Sequence, residues 1–154
     1  MSTQGKDKTR LVALRRQARH YAVQALYQWQ MSGNALNAID AQFRADFDFS
    51  ATDTEYFHEL LHEVPVRLEE INVLLAPCMV DRAVDELGPV ELAVLRMAMY
   101  ELIVRIDVPY KVVINEAVAL AKKFGATDSH KFVNGVLDCA AQEIRQIETR
   151  SAKQ

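Results

Sequence analysis

Helix breakers are scarce in this chain: 154 residues hold five glycines and four prolines. Half the residues are hydrophobic, so the composition favours helices joined by short turns around a real core. One compact domain is the expectation at this length. No run of 18 or more apolar residues exists, which excludes a membrane-spanning helix. The polar start MSTQGKDKTR has no apolar run behind it, unlike a signal peptide. Two cysteines, Cys78 and Cys139, make no disulfide framework, and the cytoplasm is the expected location. Cys139 falls on the side of Phe132, Leu137 and Ala140 and reads as a buried small hydrophobe. Cys78 follows a proline, with nothing nearby to activate its thiol. There is also no glycine-rich phosphate loop, no nucleophile elbow and no segment of strict strand-like alternation.

What is present is helical spacing. Residues 1–9 lack apolar content and read as a mobile tail. From Thr9 on, Leu11, Leu14, Ala18, Tyr21, Ala25 and Trp29 recur on one helix face, and Gly33 ends the helix. Leu36, Ile39, Phe43 and Phe47 mark a second helix. TDTE at 52–55 reads as a capping box for a third, whose core side is Phe57, Leu60, Leu61 and Val64. Pro65 suits the first turn of a fourth, which carries Leu68, Ile71, Leu74 and Leu75. Further helices follow Gly88–Pro89, Pro109 and the TDS at 127–129. The last carries inward residues from Phe132 to Ile147. Gly135 inside it costs about 1 kcal/mol relative to Ala, with a close helix–helix approach as the expected compensation. The spacing predicts an all-α protein of about seven helices.

HELLH at 58–62 has the form of a zinc-protease signature, two imidazoles on one helix face with a glutamate between. A catalytic zinc needs a third protein ligand. Pro65 and Leu68 stand where one extended form of the motif wants glycine and histidine. Glu86 lies at another family's distance but in the wrong surroundings, and no sheet edge offers itself to a peptide. Partly exposed helix histidines are the expectation, with no catalytic residue, no metal and no cofactor.

Charge is uneven along the chain. Residues 1–30 carry six basic residues against Asp7, a balance of +5. Residues 31–110 carry 5 basic and 15 acidic residues, a balance of −10. The basic start suits a polyanion and the acidic middle a basic protein. Arg15, Arg16 and Arg19 can form one basic face, with Lys6, Lys8 and Arg10 on the lead-in and His20, Tyr21 and Tyr27 interleaved. Arginine forks grip phosphates and stack on bases, so RNA is the leading expectation, with a structural role and DNA behind it.

Two stretches go beyond pattern. RRQARHYAVQALYQWQ from Arg15 resembles the opening of the NusB family of transcription antitermination factors. DELGPVELAVLRMAMYEL (85–102) and DVPYKVVINEAVALAKKFGATDSHKFVNGVLD (107–138) resemble that family's C-terminal half. The resemblance runs from Arg15 to about Arg145 and is weakest at 1–10 and 37–55. It implies an all-helical fold of two subdomains over residues 10–150, a flexible basic tail at 1–9 and a flexible end at 151–154. It further implies a cytoplasmic, non-catalytic protein that binds single-stranded boxA RNA of ribosomal RNA leaders. Its partner would be the ribosomal protein NusE, within an antitermination complex on RNA polymerase with other Nus factors. By position, Arg10, Arg15, Arg16, Arg19, Tyr27, Asp128, Lys131 and Phe132 would meet RNA. Arg82, Asp85, Glu86 and Glu91 would meet NusE. Where relatives can carry an RNA-holding aromatic before DELG, this chain has Cys78 and Met79. A NusB-like module of the kind fused to ribosomal RNA methyltransferases, and a protein-only helical adaptor, are the alternatives.

Overall fold

The computed structural model describes residues 3–80 and 82–152, with backbone alone at residues 3, 4 and 6. The all-α expectation holds: the described residues form eight α-helices and two 3₁₀ turns, with no strand. The chain divides into two compact units, Met1–Pro65 and Val66–Gln154.

The first unit is built on α1 (Thr3–Ser32), α2 (Leu36–Asp46) and α3 (Thr54–Val66). Its first helix is longer than expected, 30 residues, or about 45 Å at 1.5 Å per residue. Gln4, Lys6, Lys8 and Arg10 are good helix formers, and the Thr9 hydroxyl donates back to the Gly5 carbonyl at 2.9 Å. Helix therefore begins at Thr3 rather than Thr9, and the polar segment expected as a tail is its first turns; Met1 and Ser2 lie outside the described residues. Gly33, at φ +68°, ends α1 in the left-handed conformation that glycine adopts at least cost. The buried face is also denser than the expected stripe. Ala18, Ala22, Val23, Ala25 and Leu26 are buried, while Leu11 is exposed.

α3 starts one residue late. Asp53, not Thr52, is the cap, its Oδ1 accepting the Tyr56 N–H at 3.0 Å. Pro65 closes α3 instead of opening α4; having no N–H, it gives the Leu61 carbonyl no intrahelical donor, and the helix ends at the next residue. The expected core side of α3 is buried throughout. Rings fill this interior: Phe57 lies edge-on to Phe49 at 5.0 Å, and Tyr21 stacks on Phe49 at 4.8 Å.

The second unit holds α4 (Leu68–Leu75), α5 (Pro89–Val104), α6 (Tyr110–Phe124), α7 (Ser129–Ile144) and α8 (Gln146–Ala152). The 3₁₀ turns are Ala76–Cys78 and Val84–Glu86. From residue 93 to 102, α5 is buried except at Arg96, Glu101 included, the pattern of a central helix. α6 and α7 pack on α5 and on each other. At the α6–α7 turn a Cβ on Gly125 would lie 2.6 Å from the Ala121 carbonyl oxygen, so only glycine fits without a shift.

Two charged side chains tie up helix ends. The Arg145 guanidinium donates to the carbonyls of Leu102 (2.8 Å), Arg105 (3.0 Å) and Glu101 (3.2 Å), which satisfies the end of α5. It also pairs with Glu148 at 2.6 Å. Glu148 in turn accepts the Tyr110 N–H that opens α6, at 2.9 Å. The last helix therefore breaks at Arg145, which raises the helix count. Ile147, expected inward, is 85% exposed.

Two further expectations are corrected in this unit. Cys78 and Cys139 are joined in a disulfide, Cα to Cα 5.8 Å. Cys139 is exposed rather than buried, since its helical phase turns it toward the Ala76–Cys78 turn instead of the α5 core. A Cβ on Gly135 would meet nothing within 4 Å, so no close helix approach explains that glycine.

Candidate nucleic-acid and partner surfaces

In the first unit the three arginines do not share one open face. Arg16 is exposed, Arg15 half-buried and Arg19 buried. Arg15 and Arg19 are four apart and turn toward α3, their guanidinium carbons 4.6 and 5.5 Å from the Tyr56 ring centroid. Arg15 also lies 3.8 Å from Asp53. The ring face attracts both cations, and the core position of Tyr56 draws Arg19 inside. Arg10 is exposed on the early turns. Tyr27 is exposed, three helical turns beyond Arg16 on nearly the same face. Val23 between them is buried, so Arg16 and Tyr27 form no continuous strip.

In the second unit Asp128, Lys131 and Phe132 lie together at the start of α7. Asp128 precedes the helix at φ +67°, a conformation uncommon for any residue but glycine and more often met at Asp and Asn. Its carboxylate pairs with Lys131 at 3.4 Å, both side chains largely exposed, a contact worth little to stability. Phe132 is half-buried beneath Arg82, whose guanidinium carbon stands 4.4 Å from the ring centroid. Arg82 also reaches Glu91 in the first turn of α5, at 3.2 Å. Asp85 and Glu86 are exposed on the turn between them. Residues expected at two different surfaces, Arg82 and Phe132, are therefore in direct contact.

One cluster escaped the sequence reading. Asp40 of α2 is 2% exposed and lies between the HELLH histidines, Oδ2 at 2.7 Å from His58 Nδ1 and 2.9 Å from His62 Nε2. Its Oδ1 meets Arg44 Nε at 2.6 Å. Burial pushes the Asp40 carboxyl up, but bonds from both imidazoles and the Arg44 charge outweigh it and hold the group below the usual range. Among the described residues these three side chains are the group with ligand atoms close enough to hold a metal ion. The third donor lies upstream of HELLH, beside core residues Ile39 and Phe43, and not downstream as in the zinc-protease signature.

The fold defines a class: an all-helical protein whose surface presents cations, carboxylates and ring edges. The chain matches the NusB family over residues 16–142 and belongs to it. It is 58% identical to the transcription antitermination protein NusB of Pseudomonas savastanoi pv. phaseolicola, over 92% of this chain and 85% of that protein. Among solved structures it is similar to T. maritima NusB, with a TM-score of 0.74 and 30% identity over 83% of this chain and 90% of that one. It is also similar to a structure of antitermination factors NusB and NusE in complex with dsRNA, with a TM-score of 0.70 and 27% identity over 82% and 95% of the two chains. The family consists of non-enzymatic transcription antitermination factors.

Proposed function

We propose that this protein binds boxA RNA of ribosomal RNA leader transcripts as a heterodimer with NusE, in the cytoplasm, and joins an antitermination complex with other Nus factors on RNA polymerase. Family membership across residues 16–142 carries the reading. A similar chain is known in complex with NusE and dsRNA, which supports NusE and RNA as partners. On this reading Arg10, Arg16 and Tyr27 reach RNA from α1, with Arg15 at the edge. Arg19 acts through Tyr56 by holding α1 in position. Lys131 meets phosphate, Asp128 sets the start of α7, and Phe132 stacks on an unpaired base, a contact worth about 1–3 kcal/mol. Arg82, Asp85, Glu86 and Glu91 take NusE, the exposed carboxylates suiting basic groups on a partner.

The test is binding of single-stranded boxA RNA, its scrambled version and a duplex, with and without NusE, at several salt concentrations. Selective binding of the single strand, strengthened by NusE, is expected. Arg16→Ala should reduce the slope of log K against log salt by about 0.7–1. Equal binding to both single strands would overturn the sequence-specific reading. Preference for the duplex would replace it with recognition of helical shape.

A further inference from the structure

We infer that Asp40, His58 and His62 form a binding site for a borderline divalent transition ion, with Zn²⁺ as the physiological candidate, that fastens α2 to α3. Three facts of geometry carry this. First, the site is gathered from two helices: the histidines are four apart on α3, one face of one helix, and the carboxylate comes from α2. Second, the donor atoms converge. One carboxylate oxygen lies 2.7 and 2.9 Å from a nitrogen of each ring, the ring centroids are 4.0 Å apart, and all three ligand atoms fall within 4.8 Å of one another. A tetrahedral zinc about 2.0–2.1 Å from each donor sets them about 3.3 Å apart, so the oxygen–nitrogen separations need open by only about half an ångström. Third, the site is both anchored and reachable. Asp40 is buried, with its other oxygen engaged by Arg44, while the His58 side chain is 58% exposed.

Without an ion, each imidazole donates an N–H to Asp40 Oδ2, which keeps the donors together. An ion entering past His58 would take both nitrogens and the oxygen, and each ring would move its proton to its other nitrogen. Two imidazoles and one carboxylate suit Zn²⁺, Co²⁺, Ni²⁺ or Cu²⁺ and not Mg²⁺ or Ca²⁺, which want oxygen. Water would complete the coordination on the exposed side. The role is a clasp between helices.

The test is calorimetric titration of the full chain with Zn²⁺ after treatment with a chelator, alongside His58→Gln and Asp40→Asn variants. Circular dichroism and melting in chelator confirm that each variant is folded. One equivalent of Zn²⁺, a raised Tm, and an affinity at least about 100-fold weaker in folded His58→Gln are expected, since loss of a supporting residue alone costs about 10–100-fold. Cobalt absorption in the tetrahedral range, lost in the same variant, is the second readout. No uptake by the parent chain would overturn the inference. So would uptake unchanged in His58→Gln, which would assign the ion to other groups such as reduced Cys78 and Cys139. Asp40→Asn matters if His58→Gln is unfolded: unchanged affinity there likewise overturns the site.

Discussion

Rings and charges share the interior of Met1–Pro65, whereas the interior of Val66–Gln154 is mostly aliphatic and its buried Arg145 is turned on the backbone. In the first unit Phe43, Phe49 and Phe57 meet face and edge, and Arg19 and Asp40 are buried against rings and imidazoles. In the second, α5 supplies a core of Ala, Val, Leu and Met, and Arg145 is spent on three carbonyls. Helices of the first unit are therefore held by side chain against side chain. The ends of α5 and α6 in the second are held through residues 145–148. Both devices satisfy buried polar groups, which are costly when left unpaired, but they fail in different ways.

The sharpest test of that contrast is Phe57→Ala. It should cost about 3–5 kcal/mol, read by urea unfolding through Trp29, the chain's single tryptophan and a reporter within the first unit. A loss under about 1 kcal/mol would break the view that rings hold this unit. Reduction of Cys78–Cys139, 61 residues apart in sequence, should cost about 2–4 kcal/mol in the second unit. Protection of α7 amides from exchange, with and without reductant, measures it; amides of α1 should not change. Arg145→Ala should cost about 2–3 kcal/mol, seen as faster exchange at the Tyr110 amide and along α8. Gly135→Ala, at an open position, should gain about 0.5–1 kcal/mol in a melting experiment. A loss there would mean that the added methyl meets something.

The smallest effect is one of pH. Burial raises the Glu148 carboxyl, but the Tyr110 N–H and Arg145 outweigh it and leave the group below the usual glutamate range. Its contribution is complete above the ordinary glutamate range and is lost as pH falls through the lowered folded-state value. The urea midpoint should therefore fall on acidification, and Glu148→Gln should flatten part of that fall.

Much of the fold was legible because periodicity is local. The buried faces of α3 and α6 follow their spacing, and Gly33, Pro89 and Gly125 stand at the helix boundaries expected of them. Features that depend on distant partners were not legible. Nothing near Arg145 says that it faces α5 carbonyls, and nothing near Arg19 announces Tyr56. Asp40 is silent for the same reason, since it resembles any acidic residue on a helix until α3 is laid beside it. Cys139 lies near core residues of α7 in sequence, but its partner is Cys78 on the Ala76–Cys78 turn, 61 residues away.

Arg82 has one guanidinium and two neighbours to serve, the ring of Phe132 and the carboxylate of Glu91. Any molecule that draws Arg82 toward the acidic turn unveils a face of that ring, and any flat group settling on the ring must first dislodge Arg82. A single side chain thus makes the two faces thermodynamically dependent, and the dependence runs equally in both directions: whatever factor one ligand imposes on the other's affinity, it receives in return.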